Sequence, residues 1–100
     1  MARAMVVELQ QRRGDWTVQP LARFVLPPDG PVRLVELAPN GRFVAEELIG
    51  RGLPEGEGLP GPADGPAFLA ALPWRFAGVR LWATEPFEMD LDAALTGGPA

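Results

Sequence analysis

Hydrophobic and polar residues alternate in steps of two over the first quarter of the chain. Met5, Val7 and Leu9 fall on one side, Glu8 and Gln10 on the other, the mark of a strand with one buried face. Arg12-Arg13-Gly14-Asp15 follows as a polar turn, and Trp16–Leu26 resumes the alternation. Counting by twos puts Trp16, Val18, Ala22, Phe24 and Leu26 on the apolar face, with Trp16 in the core. Thr17, Gln19 and Arg23 share the polar face. Pro20 sits on the apolar parity but has no N–H to give a ladder, so this strand is expected to be an edge or to bulge there.

Two similar turns, Pro28-Asp29-Gly30 and Pro39-Asn40-Gly41, frame the apolar run Val32–Leu37. Each is expected to use its Gly in the left-handed conformation, which favours an up-and-down meander. The next stretch carries two signals. Phe43 and Val44 favour a strand, whereas Ala45–Leu48 favour a helix; the expectation is a strand through Ala45, reaching Ile49 in its longer version. Residues 50–65 are dense in Gly and Pro and read as a long surface loop, a type that often carries binding segments. They are not a phosphate loop, because no Lys follows and Glu55, Glu57 and Asp64 would repel phosphate.

Asp64 or Gly65 is placed to cap a short helix with Pro66 in its first turn and Phe68, Leu69 and Leu72 on one stripe. Pro73 is expected to end it, and so short a helix must dock on the sheet. Gly78–Thr84 reads as a last strand, with Val79, Leu81 and Ala83 facing one way and Arg80, Trp82 and Thr84 the other. Pro86 is expected to break it. Asp90–Leu95 then forms one more helical turn closed by Gly97-Gly98, and the tail frays from about residue 96.

These elements predict a single domain over residues 1–100, of α+β class and mainly β. The expected architecture is an antiparallel meander of four or five strands, at most curled into a half-open barrel, with one short helix packed on it. Pro20 and Pro31 are placed to blunt two sheet edges, and an unprotected edge would invite a second copy.

Composition then removes whole classes of chemistry. The chain contains no Ser, Cys, His, Lys or Tyr, the residues that supply most covalent nucleophiles and neutral-pH proton shuttles. Thr17, Thr84 and Thr96 are internal and have no base beside them. No catalytic residue, no metal ligand set and no cofactor site is therefore expected. The run Ala4–Val7 is too short for a leader's core or a membrane span, and the lack of cysteine suits a reducing compartment; the expectation is a cytoplasmic protein without a membrane role. The formal net charge of −4 disfavours nucleic acid, and all nine basic residues are Arg.

Three side-chain groupings bear on function. Glu46 and Glu47 are adjacent and diverge in either a strand or a helix, so they make no acid/base pair. Glu85, Glu88, Asp90 and Asp92 lack the Gly-turned loop of a hard-cation site and read as a solvated face or a charged helix start. Trp74, Arg75, Arg80 and Trp82, with Phe76 among them, have the composition of an interaction hot spot, unless the short helix covers Trp82. The leading expectation is a non-catalytic interaction module that binds a protein partner, or itself as a homodimer, through these residues or through the loop at 50–65. The alternatives are a small β-barrel reader of single-stranded nucleic acid, and a carboxylate/arginine isomerase or lyase on a small acid.

Overall fold

The computed structural model describes residues 2–14, 16–52 and 59–96, the side chains of residues 51 and 52 excepted. The alternating N-terminal run forms an eleven-residue strand, β1 (Arg3–Arg13). It turns back through Gly14, whose φ of +66° is left-handed, into β2 (Thr17–Leu26). Pairing continues from β2 to β3 (Arg33–Glu36), so these three strands form the expected meander. The other side of β1 takes two short strands placed end to end: β4 (Leu81–Ala83) against Leu9–Gln11, and β5 (Phe87–Asp90) against Arg3–Val6. Every pairing is antiparallel and the sheet stays open. The fold is thus a small α+β domain with a five-stranded sheet.

The hairpin contains one irregularity with long reach. Arg13 faces Thr17 and Gln10 faces Pro20, but the next rung is Leu9 opposite Ala22. Leu21 is therefore an extra residue in β2, a bulge that shifts the alternation by one. The proline beside it has no N–H to lose from the ladder. Inboard of the bulge, Val7, Leu9, Ala22 and Phe24 point to the first face of the sheet and build the main core. Outboard of it, Val18 stands opposite Arg12 and is exposed, and Trp16 is 89% exposed. Uninterrupted alternation put Trp16 in the core; the bulge is why it is not there.

The carbonyl of Leu21 is pinned. It accepts hydrogen bonds from the N–H groups of Leu37 (2.9 Å) and Ala38 (3.2 Å), where the chain leaves β3. The first residue of helix α1 (Gly41–Gly52) crosses directly over it, and a Cβ at Gly41 would collide with that carbonyl. Asn40, not Gly41, takes the left-handed conformation in this turn, with φ +65°; Gly41 is required for close approach instead.

Residues 42–49, expected as a strand, are helical. Ala45 is fully buried in the main core, and Val44, Leu48 and Ile49 pack against it, a stripe that only a helical period brings to one side. Packing overrides the strand preference of Phe43 and Val44. Arg42 and Glu46, 3.1 Å apart, form an i,i+4 pair on the outside.

Helix α2 (Gly65–Arg75) lies on the same face, burying Leu69 and Leu72 and setting Phe68 edge-on to Phe24 with ring centroids 5.8 Å apart. It runs past Pro73 to Arg75, because a proline in the last turn removes one backbone bond while the two buried leucines hold the helix down. The strand expected over Gly78–Thr84 pairs only at Leu81–Ala83, and Val79 is 79% exposed, since it lies before the first rung of β4. Pro86 does not end the sheet: it sits in the short break after which β5 rejoins β1. A third helix, α3 (Leu91–Thr96), covers Ala4, Val6, Val25 and Met89 on the second face. Among the described residues three helices, not one, therefore pack on the sheet. Of the loop expected at 50–65, residues 50–52 belong to α1 and 53–58 lie outside the described residues, as do Asp15 and the Gly97-Gly98 stop.

Replacing Gly41 by Ala should destabilise the domain by about 1–3 kcal/mol, although Ala is the better helix former. Urea unfolding measures it; a Gly41→Ala variant with an unchanged or higher midpoint contradicts the pinned bulge.

Candidate interaction face

The second face of the sheet is divided. Beneath α3 it is apolar, and at the end of α3 it becomes a line of hydrogen-bonded polar side chains. The bulge sets Glu8 opposite Arg23, and Arg23 Nε donates to Glu8 Oε2 at 2.9 Å with both side chains buried. Arg23 Nη1 also reaches the carbonyls of Ala93 and Ala94, at 3.3 and 3.5 Å. These belong to α3, whose C-terminal end attracts a cation. The other Glu8 oxygen accepts from Gln10 Nε2 at 3.0 Å, and Gln10 Oε1 accepts from Trp82 Nε1–H at 3.2 Å.

Thr84 completes the set. In the break between β4 and β5 its hydroxyl accepts the Glu8 N–H at 2.9 Å, while its own N–H donates to the Glu8 carbonyl at 2.8 Å. A side-chain oxygen thus stands in where the interrupted strand offers no ladder carbonyl. No buried side-chain polar atom among the described residues lacks a partner, as a low-dielectric interior demands.

Beyond this line the face is uncovered. Gln10 and Trp82 are half-buried, and Arg12, Val18 and Pro20 are exposed beside them. Arg80 joins this group: its carbonyl accepts the Arg12 N–H at 2.8 Å, and strand alternation puts it on the side of Trp82.

Of the four expected site residues, Arg80 and Trp82 come together here. Trp74 and Arg75 do not join them: both are exposed in the last turn of α2, on the opposite face. Since α2 packs there, it does not cover Trp82. Sequence reasoning missed Gln10, Arg12 and Val18 as companions of Trp82, and Glu8 with Arg23 as the support beneath; Pro20, which marked the irregular rung, was the available signal. From the second expected site, the loop at 50–65, the described part is structural. Leu59 packs against the core and the Pro60 carbonyl accepts the Val32 N–H at 2.9 Å.

The acidic set is distributed over separate tasks. Glu88 lies 3.9 Å from Arg3, and Asp90 Oδ2 accepts the Ala93 N–H at 3.3 Å, holding the start of α3. Among the described residues no three acidic side chains gather as a metal site, and no helix is long and apolar enough to cross a membrane. Compared with protein-family models, curated proteins and solved structures, the chain matches none.

Arg23→Met should cost about 3–5 kcal/mol by leaving Glu8 buried without its counter-charge, and the double variant Glu8→Met/Arg23→Met should recover most of that loss. A double-mutant cycle in urea decides it; additive losses would show that the two side chains are not energetically coupled.

Proposed function

We propose that this protein is a non-catalytic binding module, acting in a reducing compartment such as the cytoplasm, which receives an acidic, partly aliphatic segment of a protein partner on the open half of the second face. The observation that carries the reading is the composition of that surface. Two exposed arginines, Arg12 and Arg80, flank Val18, Pro20 and a half-buried Trp82, and among the described residues the one carboxylate on this part of the sheet, Glu8, is buried and ion-paired. An aromatic platform with arginines at its margin recognises carboxylates set beside apolar side chains. Trp82 is held in place by its bond to Gln10, so little side-chain freedom is lost on binding.

A polypeptide fits better than a nucleic acid. A single strand needs a basic track that follows several phosphates, whereas Arg13 bonds Gln19, on the other side of the hairpin, and the chain carries net charge −4. An isomerase or lyase fits less well too. Its buried base would have to be Glu8, the sole buried carboxylate among the described residues, and both Glu8 oxygens are already engaged.

Selection from a random peptide library on immobilised protein should return sequences that join Asp or Glu to Leu, Ile or Val. The pair Arg12→Glu/Arg80→Glu should weaken the selected peptide about tenfold or more, and Trp82→Ala should weaken it with the circular dichroism unchanged. Peptides without acidic preference, or quenching of Trp fluorescence by an oligothymidylate instead, would sink this reading.

A further inference from the structure

We infer that a second site, on the α2 side of the sheet, binds an arginine side chain presented by a partner polypeptide. A groove of about 350 Å³ runs between the end of α2 and the break joining β4 to β5, lined by Ala70, Pro73, Trp74, Ala77, Glu85 and Pro86. The inference is independent of the open-face reading, with which it shares no residue.

Trp74 is 87% exposed, and its neighbour Pro73 restricts the backbone that carries it. An indole so placed contributes almost nothing to the core. Its apolar surface is left for a ligand to cover. The other distinguishing group is Glu85, exposed within the groove, whose carboxylate has no hydrogen bond or ion pair among the described residues. Glu88 and Asp90, farther along the same acidic stretch, both have partners.

An aromatic face, a free carboxylate and walls of proline and alanine select for one side-chain chemistry. A guanidinium is planar and weakly hydrated, stacks on indole, and offers a fork of N–H donors to a carboxylate. The proline and alanine walls accommodate its aliphatic stem. A purely apolar occupant would bury the Glu85 charge without compensation, and an acidic one would be repelled. Arg75 does not fill the site: next to Trp74 on the helix, it points about 100° away around the axis and is not part of the lining.

The test titrates the ¹⁵N-labelled full chain with the capped peptide Ala-Pro-Arg-Pro-Ala and with its citrulline counterpart, which keeps the shape and removes the charge. The Arg peptide should move the indole N–H signal of Trp74 and the amides of Ala77 and Glu85, leaving the Trp16 and Trp82 indoles in place. Citrulline, or Glu85→Gln, should weaken binding about fivefold or more. Trp74→Ala should abolish it while the amide spectrum of the β-sheet stays unchanged. Equal affinity for the two peptides, no response at about 10 mM peptide, or shifts at Trp82 instead of Trp74 would overturn the site. Concentration-dependent self-association removed by Trp74→Ala would also overturn it, because the occupant would then be a second copy.

Discussion

The single extra residue in β2 sets the phase of everything around it. A strand's side chains alternate with a period of two, so one inserted residue reverses the facing of all that follows. On the inner side of Leu21 the reversal brings Arg23 level with Glu8; on the outer side it turns Val18 out beside Arg12. A regular hairpin would set Glu8 against Ala22 and bury Arg23 against the wrong neighbour. The bulge survives because its freed carbonyl is not left to water: Leu37 and Ala38 donate to it, and Gly41 lets α1 pass close above. Fold and surface are therefore coupled at one peptide group.

The buried ion pair is best understood as a device for position. Moving two charges out of water costs several kcal/mol per ion, which their attraction only about recovers, so such a pair seldom adds net stability. What it adds here is geometry. Arg23 ties Glu8 to the carbonyls of α3, Glu8 orients Gln10, and Gln10 fixes the indole of Trp82. A six-residue helix is too short to be stable in water alone. Apolar contact with Met89 and Val25, together with the Arg23 bonds, keeps α3 on the sheet. The exposed surface thus inherits its rigidity from a polar chain rooted in the interior.

Much of this was legible in the sequence. Alternation located β1 and β2, the turns at Pro28-Asp29-Gly30 and Pro39-Asn40-Gly41 framed β3, Gly65-Pro66 located α2, and Pro20 flagged the bulge. What alternation could not supply was the side of the sheet on which each late element would settle. Phe43 and Val44 carry strand preference, and only the main core's need for Ala45 and Leu48 makes that segment helical. Phe87–Asp90 looked closed off by Pro86, yet the free flank of β1 recruits it. The site was half visible for the same reason. Arg80 and Trp82 are two residues apart, across the start of β4, so their shared side is a local property. Separating Trp74 from Trp82 required knowing that α2 packs on the first face. The partnership of Glu8 with Arg23 depends on a register shift that no local count contains.

The edges of the sheet show why binding should use its faces. An open strand edge offers unpaired N–H and C=O groups to any passing strand, and two of the edges here are obstructed. On β3 the Leu34 carbonyl is taken by Arg42 Nη2 at 2.6 Å and the Val32 N–H by Pro60. On β4 the Ala83 N–H goes to the Phe76 carbonyl at 3.0 Å. The outer edge of β5 is four residues long, follows Pro86 and carries Glu88 and Asp90, so antiparallel pairing with a second copy would set like charges against each other. Strand addition is thereby disfavoured at β3, β4 and β5. What stays open to a partner is side-chain surface: the arginine and tryptophan margin on one side, and the Trp74 groove with the exposed Glu85 carboxylate on the other. Because these surfaces differ in charge and lie on different elements, each can be altered without disturbing the other.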